Sequence, residues 1–330
     1  MSAAPAELGA VRIGETGVVM SRLVLGTAPL AGLFAPVTAE DAEVALAAAS
    51  EVGITTFDTA PHYGAGLAEE RLGAYVAGRP RDAFVVSTKV GRLLIDTDGE
   101  VDGEGFFGAP RRRRIRDYSR AGVRKSLEAS LGRLGLDYID LLLIHDPDDY
   151  GEIAFGETVD ALYELRAAGV VGAIGVGMNE VAMLERFVDE TDIDAVLVAG
   201  RYSLLDNSAA TRLLPRCRER GVAVIAGGVY NSGILAKPGP GATFNYVAAP
   251  SDVLARVEAI GAHCDRHGVA LPAAALHYVL ANDAVSAVVI GARSAAEVRE
   301  NAEHFATVVP PALYFELAGA GLIAPIAGSR

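Results

Sequence analysis

From about residue 22 onward, short runs of Val, Ile, Leu and Phe alternate with longer segments whose apolar residues recur every three or four positions. The short runs lie at Arg22–Gly26, Thr55–Thr59, Ala83–Lys89, Tyr138–His145, Val171–Val176, Ala195–Ala199, Val222–Ala226 and Ala287–Gly291. Most are near-continuously apolar, the pattern of strands covered on both faces in a parallel sheet. The longer segments carry helix punctuation. Thr38 and Asp41 form a capping-box pattern, with Gly53 as the stop. Ser119 opens an amphipathic run through Val123, Leu127, Leu131 and Leu134 that Gly135 closes. Thr158 is expected to begin a helix holding Val159, Leu162 and Leu165, closed by Gly169. Ser208–Arg220 ends at Gly221, Ser251–His267 at Gly268, Leu271–Leu280 reads as an extra helix, and Ser294 opens the last repeat.

Eight β–α units without a break in composition predict one closed (β/α)8 TIM barrel spanning residues 1–330. A doubly wound sheet would place a G-x-G-x-x-G turn after an early strand. The nearest match, Gly175-Val176-Gly177-Met178-Asn179-Glu180, lacks the third glycine. Two stretches, Gly91–Tyr118 and Ala236–Ala249, read as long loops leaving the end of the barrel where active sites are built.

Composition narrows the function. The 330 residues carry 29 Lys and Arg against 42 Asp and Glu, a formal charge of −13, which disfavours nucleic acid or an anionic membrane as partner. Mean hydropathy is +0.29, yet no stretch reaches the roughly 18 apolar residues a membrane span needs. Met1–Ala10 shows no basic start and apolar run, so no secretory leader is expected. Two cysteines, Cys217 and Cys264, make no disulfide framework, and a cytoplasmic location is the simplest expectation.

Polar residues at the C-terminal ends of barrel strands face the site. Strand two ends in Asp58-Thr59-Ala60-Pro61-His62-Tyr63, strand three at Lys89 and strand four at His145. These suit proton transfer. A tyrosine titrates near pH 10, an adjacent ammonium lowers that value, and a carboxylate holds the ammonium in place. A histidine orients a carbonyl or hydroxyl, and tyrosine then serves as general acid or base. Taken singly, Asp58 reads as an N-cap or turn residue, Lys89 as its buried partner, Tyr63 as packing, and His145 as a satisfied histidine at a strand end. Their joint placement on three successive strands favours catalysis, with His62 as a pocket wall.

At these residues the chain resembles the aldo-keto reductases. The resemblance runs from Leu25-Gly26-Thr27, through Phe57-Asp58-Thr59-Ala60 to Tyr63-Gly64, Lys89, the Leu131–Asp140 block and His145, to Arg299-Glu300-Asn301. It implies a barrel binding an extended nicotinamide dinucleotide, with a catalytic set of Asp58, Tyr63, Lys89 and His145. It also implies that Gly26, Thr27 and Ala28 border the nicotinamide, beside the catalytic Asp58. The turn containing Tyr230, Ser232, Gly233 and Leu235 would cradle the pyrophosphate, and Gly291, Arg293, Glu297 and Asn301 would hold the adenosine end.

The chain departs from the family pattern at three places. Gly177-Met178-Asn179 replaces a Ser-Asn pair, so Asn179 is expected to take the carboxamide contact; a glutamine gives way near Ala199 and a stacking tyrosine near Gly227. These departures, with Tyr118-Ser119, His145-Asp146-Pro147-Asp148 and Ile290–Ser294, resemble a sugar-oxidising branch of the D-threo-aldose (L-fucose) 1-dehydrogenase and pyridoxal 4-dehydrogenase type. That branch implies oxidation of an aldose hemiacetal to a lactone by NAD or NADP. The other openings are pyridoxal 4-dehydrogenation, general aldehyde or ketone reduction, and a non-catalytic subunit that senses dinucleotide.

Glu297 falls where relatives that prefer NADP carry a basic residue, which favours NAD; it is also position three of a Ser294-x-x-Glu297 capping box. His263-Cys264-x-x-His267 lacks the companion carboxylate of a zinc motif and reads as helix surface, and no metal is expected. Cys217 and His277 read as structural. The Arg111–Arg114 run with Arg116 reads as paired with local carboxylates (Asp96, Asp98, Glu100), with an anionic-substrate role as the lesser reading. The sequence leaves oligomeric state open.

Overall fold

All eight apolar runs become parallel strands of one closed barrel in the computed structural model, which describes residues 8–325. Residues 1–7, part of the stretch read above for a leader, lie outside the described residues. The strands are β1 (Leu23–Gly26), β2 (Thr56–Asp58), β3 (Val85–Val90), β4 (Ile139–His145), β5 (Val171–Met178), β6 (Ala195–Ala199), β7 (Ala223–Gly227) and β8 (Val285–Gly291). Each pairs with its sequence neighbours, and β8 closes on β1 with Gly291 beside Gly26.

The period of two along each strand sorts side chains into two layers. Leu142 and Ile144 of β4 pack outward against the helices, while Leu141 and Leu143 fill the barrel interior with Val24, Ala173 and Ile225. Each such fully buried leucine contributes about 1.5–3 kcal/mol. On β5 the interior position is glycine, because a Cβ at Gly175 would overlap the Ala195 carbonyl of the neighbouring strand.

The bottom of the barrel is plugged by an antiparallel hairpin, Ala10–Arg12 with Val19–Ser21, whose Ile13, Val18 and Met20 complete the interior cluster. Three-residue strands carry too little periodicity to be seen in the sequence. The closing helix Pro311–Gly319 was not anticipated either.

Capping held at Thr38, Ser119 and Ser294, whose hydroxyls accept the amides of Asp41, Gly122 and Glu297. Thr158 is corrected. The helix begins earlier, at Gly151, and passes through a π-helical stretch Ala154–Thr158 before Val159–Ala167. The Thr158 hydroxyl bonds the Tyr118 and Ile153 carbonyls, so it ties two elements together instead of capping one.

Both long loops are also corrected. Within Gly91–Tyr118, Arg92–Asp96 pairs antiparallel with Arg112–Arg116. Within Ala236–Ala249, Thr243–Phe244 pairs with Val247–Ala248. Arginine-rich strands mask their alternation, since the charges are neutralised only once the partner strand and neighbouring carboxylates are in place.

Candidate active site

The same parity that fills the core delivers the polar residues. Phe57 of β2 and Val86 and Val90 of β3 point outward, so Asp58, Ser87 and Lys89 point inward. On β4 the alternation continues past Leu141 and Leu143 to His145. The intervening Thr88 faces the helices and donates to Glu69 at 2.6 Å.

Lys89 is 1% exposed. Its Nζ donates to Asp58 Oδ2 at 2.8 Å, Asp58 Oδ1 at 3.0 Å and the Thr59 carbonyl at 2.9 Å. Ser87 adds a fourth bond, donating to Asp58 Oδ1 at 3.0 Å. Burial works against the Lys89 charge, but Asp58 and Tyr63 together outweigh it and hold the ammonium above the ordinary lysine value.

Tyr63 follows in the turn Tyr63–Gly66, where Gly64, Ala65 and Gly66 all take positive φ (59°, 51° and 93°). Lys89 Nζ approaches the Tyr63 ring to 4.7 Å from its centroid. Burial pushes the phenol up to about 12, while Lys89 pulls it down. The expectation of a lowered tyrosine is therefore corrected in its net sign: Lys89 acts in the expected direction, but desolvation of the phenolate is larger.

His145 stands edge-on to Tyr63, with ring centroids 5.8 Å apart at 90°. Its Nδ1 is buried without a hydrogen-bond partner among the described residues. Burial, helped by Lys89 and Arg92, holds it well below 6.5, so the imidazole is neutral. His62 is likewise neutral, driven to about 3 by burial and the charges of Arg92 and Arg114. It lies 5.7 Å from His145 and 5.6 Å from Phe106, ring to ring, and forms the wall expected of it.

The hairpin closes that wall. Arg114 Nε donates to the His62 carbonyl at 3.1 Å, and Glu104 lies 3.5 Å from both His62 Nδ1 and Arg114 Nη1. Other arginines of the basic run are tied to neighbouring carboxylates and carbonyls. Arg112 pairs with Glu70 (2.6 Å) and Asp96 (2.9 Å), Arg116 with Asp149 (3.2 Å), and Arg111 bonds the Asp98 and Gly99 carbonyls.

Directly after His145, Asp146 adopts a left-handed backbone (φ 44°). Tyr118 donates to the carbonyls of His145 (2.6 Å) and Asp146 (2.7 Å), and the buried Arg92 donates to Asp146 Oδ2 at 2.8 Å. Neither Arg92 nor Asp146 was given a functional role from the sequence, where Asp146 counted only as part of the His145–Asp148 block that resembles the sugar-oxidising branch.

Around the rim, Thr27 donates both its amide and its hydroxyl to the Asp58 carbonyl (2.9 and 3.0 Å), fixing the Gly26–Ala28 turn beside β2. Across β8 and β7, Tyr230 donates to Asn301 Oδ1 at 2.7 Å, and Asn301 Nδ2 donates to the Glu297 carbonyl at 2.7 Å. Asn231, Ser232 and Gly233 are consecutively left-handed (φ 46°, 58° and 95°). The buried Asn231 amide oxygen has no partner among the described residues; the residue lies inside the Tyr230–Leu235 turn expected to carry the pyrophosphate, without being singled out within it. Leu235 is fully buried and packs beneath the turn. Glu297 accepts from the Arg293 amide (2.8 Å) and guanidinium (3.2 Å) while its own amide binds Ser294. Asn179 is exposed beyond β5, on the other side of the mouth, and its carbonyl accepts from Arg201 at 3.0 Å.

Residues 22–317 match the sequence model of the Aldo/keto reductase family. The chain belongs to the aldo/keto reductase family. It is 42% identical to D-threo-aldose 1-dehydrogenase of Pseudomonas sp over 93% of this chain and 96% of that protein. It is 39% identical to pyridoxal 4-dehydrogenase of Microbacterium luteolum, over 94% and 97%. A solved aldo-keto reductase from Bacillus halodurans, in its holo form, superposes with a TM-score of 0.76 at 25% identity, covering 96% of this chain and 97% of that one.

As an aldo/keto reductase the chain is an NAD(P)-dependent oxidoreductase acting on small molecules. The residues present fit an extended dinucleotide. Gly26, Gly177 and Gly227 leave the strand ends without side chains, and the turn Asn231–Gly233 leaves the buried Asn231 Oδ1 as an unpaired acceptor, suited to a donor such as a ribose hydroxyl.

Elsewhere, no group of three His, Cys, Asp or Glu that would hold a metal occurs among the described residues. His263 and His267 face Glu316 at 3.7 and 3.1 Å. His277 bonds the Phe305 carbonyl, and burial pushes the Cys217 and Cys264 thiols up to about 12 and 11. No described helix is long and apolar enough to cross a membrane.

Proposed function

We propose that this aldo/keto reductase oxidises the anomeric carbon of a neutral aldose, in its cyclic hemiacetal form, to the lactone. The observation carrying the chemistry is the buried Lys89–Asp58 pair set against the Tyr63 ring. Tyr63 accepts the anomeric hydroxyl proton as the C1–O bond becomes a carbonyl. Neutral His145 hydrogen-bonds the same oxygen and fixes its approach. Lys89 stabilises the phenolate form of Tyr63 that must be present to take this proton, and Asp58 keeps that ammonium charged and in place. A nicotinamide bound beside Gly26–Ala28 would supply the acceptor for the hydride lost from C1. Phe106 and His62 exclude water from this end of the cleft.

The aldose is supported by the 42% relative, which covers the barrel and its loops alike. Pyridoxal is the second candidate, favoured by the 39% relative. Gly26, Thr27, Ala28 and Asn179 would border the nicotinamide. Tyr230 to Leu235 would carry the pyrophosphate, and Gly291, Arg293, Glu297 and Asn301 the adenosine. We read NAD as the preferred dinucleotide, because the Glu297 carboxylate would repel a 2′-phosphate. The two buried free thiols support a reducing, cytoplasmic setting.

Turnover of a panel of aldopyranoses and pyridoxal with NAD and with NADP, read as nicotinamide absorbance, tests both statements. Activity on pyridoxal alone would replace the sugar reading, and a higher kcat/KM with NADP would overturn the Glu297 argument.

A further inference from the structure

We infer that Asp146 is the substrate-reading residue of this site: its carboxylate accepts the hydroxyl on the carbon next to the one oxidised. This rests on the aldose reading above and names the feature by which such a substrate is recognised.

Asp146 begins where β4 ends. Its amide still pairs with the Gly177 carbonyl at 3.1 Å, so the residue is anchored to the barrel and not to a mobile loop. Its backbone is then turned into the left-handed region, which aspartate tolerates better than most residues but which still costs energy. Two otherwise distant side chains hold it there. The Tyr118 phenol reaches back to both the His145 and Asp146 carbonyls, and Arg92, at the root of the hairpin, takes Oδ2. Tyr118 is 1% exposed and Arg92 8%, so both are committed to this task in the interior.

The product of this effort is a carboxylate aimed at the mouth of the site. Oδ2 lies 3.5 Å from His145 Nε2. Oδ1 has no hydrogen-bond partner among the described residues, and the side chain is 34% exposed. A carboxylate that only anchored Arg92 would gain nothing from a strained backbone or from standing beside the imidazole that faces Tyr63.

Substrate chemistry completes the argument. Vicinal oxygens on a sugar ring are close neighbours, as are the His145 imidazole and the Asp146 carboxylate, whose Nε2 and Oδ2 lie 3.5 Å apart. An acceptor-only group there selects a hydroxyl donor and disfavours a carboxylate or phosphate. The substrate class that fits is a neutral polyol with a free hydroxyl at C2.

The test is Asp146→Asn, which keeps the shape and suits a left-handed backbone, assayed on an aldopyranose and on its 2-deoxy analogue. In the variant Arg92 holds the one remaining acceptor oxygen, an N–H donor replaces Oδ1, and loss of the charged hydrogen bond raises KM for the aldose about tenfold to a hundredfold with kcat nearly held. On the 2-deoxy sugar, which lacks the hydroxyl, the variant and the parent enzyme should differ by less than twofold. Calorimetric titration with dinucleotide checks that the variant is folded. An equal loss on both sugars would assign Asp146 to positioning His145 and overturn the proposal, as would an unchanged KM on the aldose. A parent enzyme inactive on every aldose would defeat the functional reading itself, a result separable from failure of the Asp146 role.

Discussion

The Lys89 ammonium stands 4.7 Å from the centre of the Tyr63 ring while its hydrogen bonds go to Asp58 and the Thr59 carbonyl. One buried cation thus serves a permanent anion and a transient one. Tyr63, pushed up to about 12, holds its proton in the resting enzyme. Oxidation requires the phenolate and reduction the phenol. The oxidation rate should therefore climb as pH rises from about 7 to about 10, whereas reduction of a carbonyl holds level over the same range. An oxidation profile flat in pH would remove Tyr63 as the base.

Replacing Tyr63 by Phe keeps the ring against Phe106 and His145 and deletes only the proton site. The expected loss in kcat is about a hundredfold to ten-thousandfold, with dinucleotide affinity by calorimetry little altered. Near-normal turnover in the variant would end the proposed mechanism.

Asp58→Asn leaves Lys89 buried beside a neutral amide. The interior then holds an uncompensated charge, and the expected destabilisation is about 3–5 kcal/mol, read from urea unfolding. The two partners are 5% and 2% exposed as side chains, so solvent screening is slight.

His62 and His145 are neutral in the folded protein, both pushed below the ordinary value of 6.5 by burial. The unfolded chain binds those protons first, so stability is unaffected above about pH 6.5 and falls as pH drops below it. The slope should approach about 1.4 kcal/mol per pH unit for each histidine. For His62 the loss continues down to about 3. His62→Asn should make the urea midpoint less sensitive to acid; an unaltered slope would show that His62 is protonated when folded.

Glu297 has two jobs to separate, since its carboxylate also accepts from Arg293 at the start of the last β–α helix. Glu297→Gln should lower the kcat/KM preference for NAD over NADP, and should cost about 0.5–1 kcal/mol of stability through the weakened helix start. A stability loss with no change in dinucleotide preference would leave Glu297 with the helix start alone.

Sequence by itself determined the strands, because a segment buried on both faces must be apolar throughout. Every barrel strand falls within two residues of its apolar run. It also determined that Asp58, Lys89 and His145 meet, since each sits at a strand end with inward parity. Tertiary structure decided the rest. The two-faced hairpin Arg92–Asp96/Arg112–Arg116 looked like a charged loop until Glu70, Asp96 and Asp149 supplied its counter-charges. The sign of the Tyr63 shift depends on how much water the fold removes, which no local pattern encodes. The placement of Asp146 depends on Tyr118 and Arg92, 28 and 54 residues away along the chain. Local pattern reports what a segment prefers; long-range packing sets the dielectric and the partners that each charge finally meets.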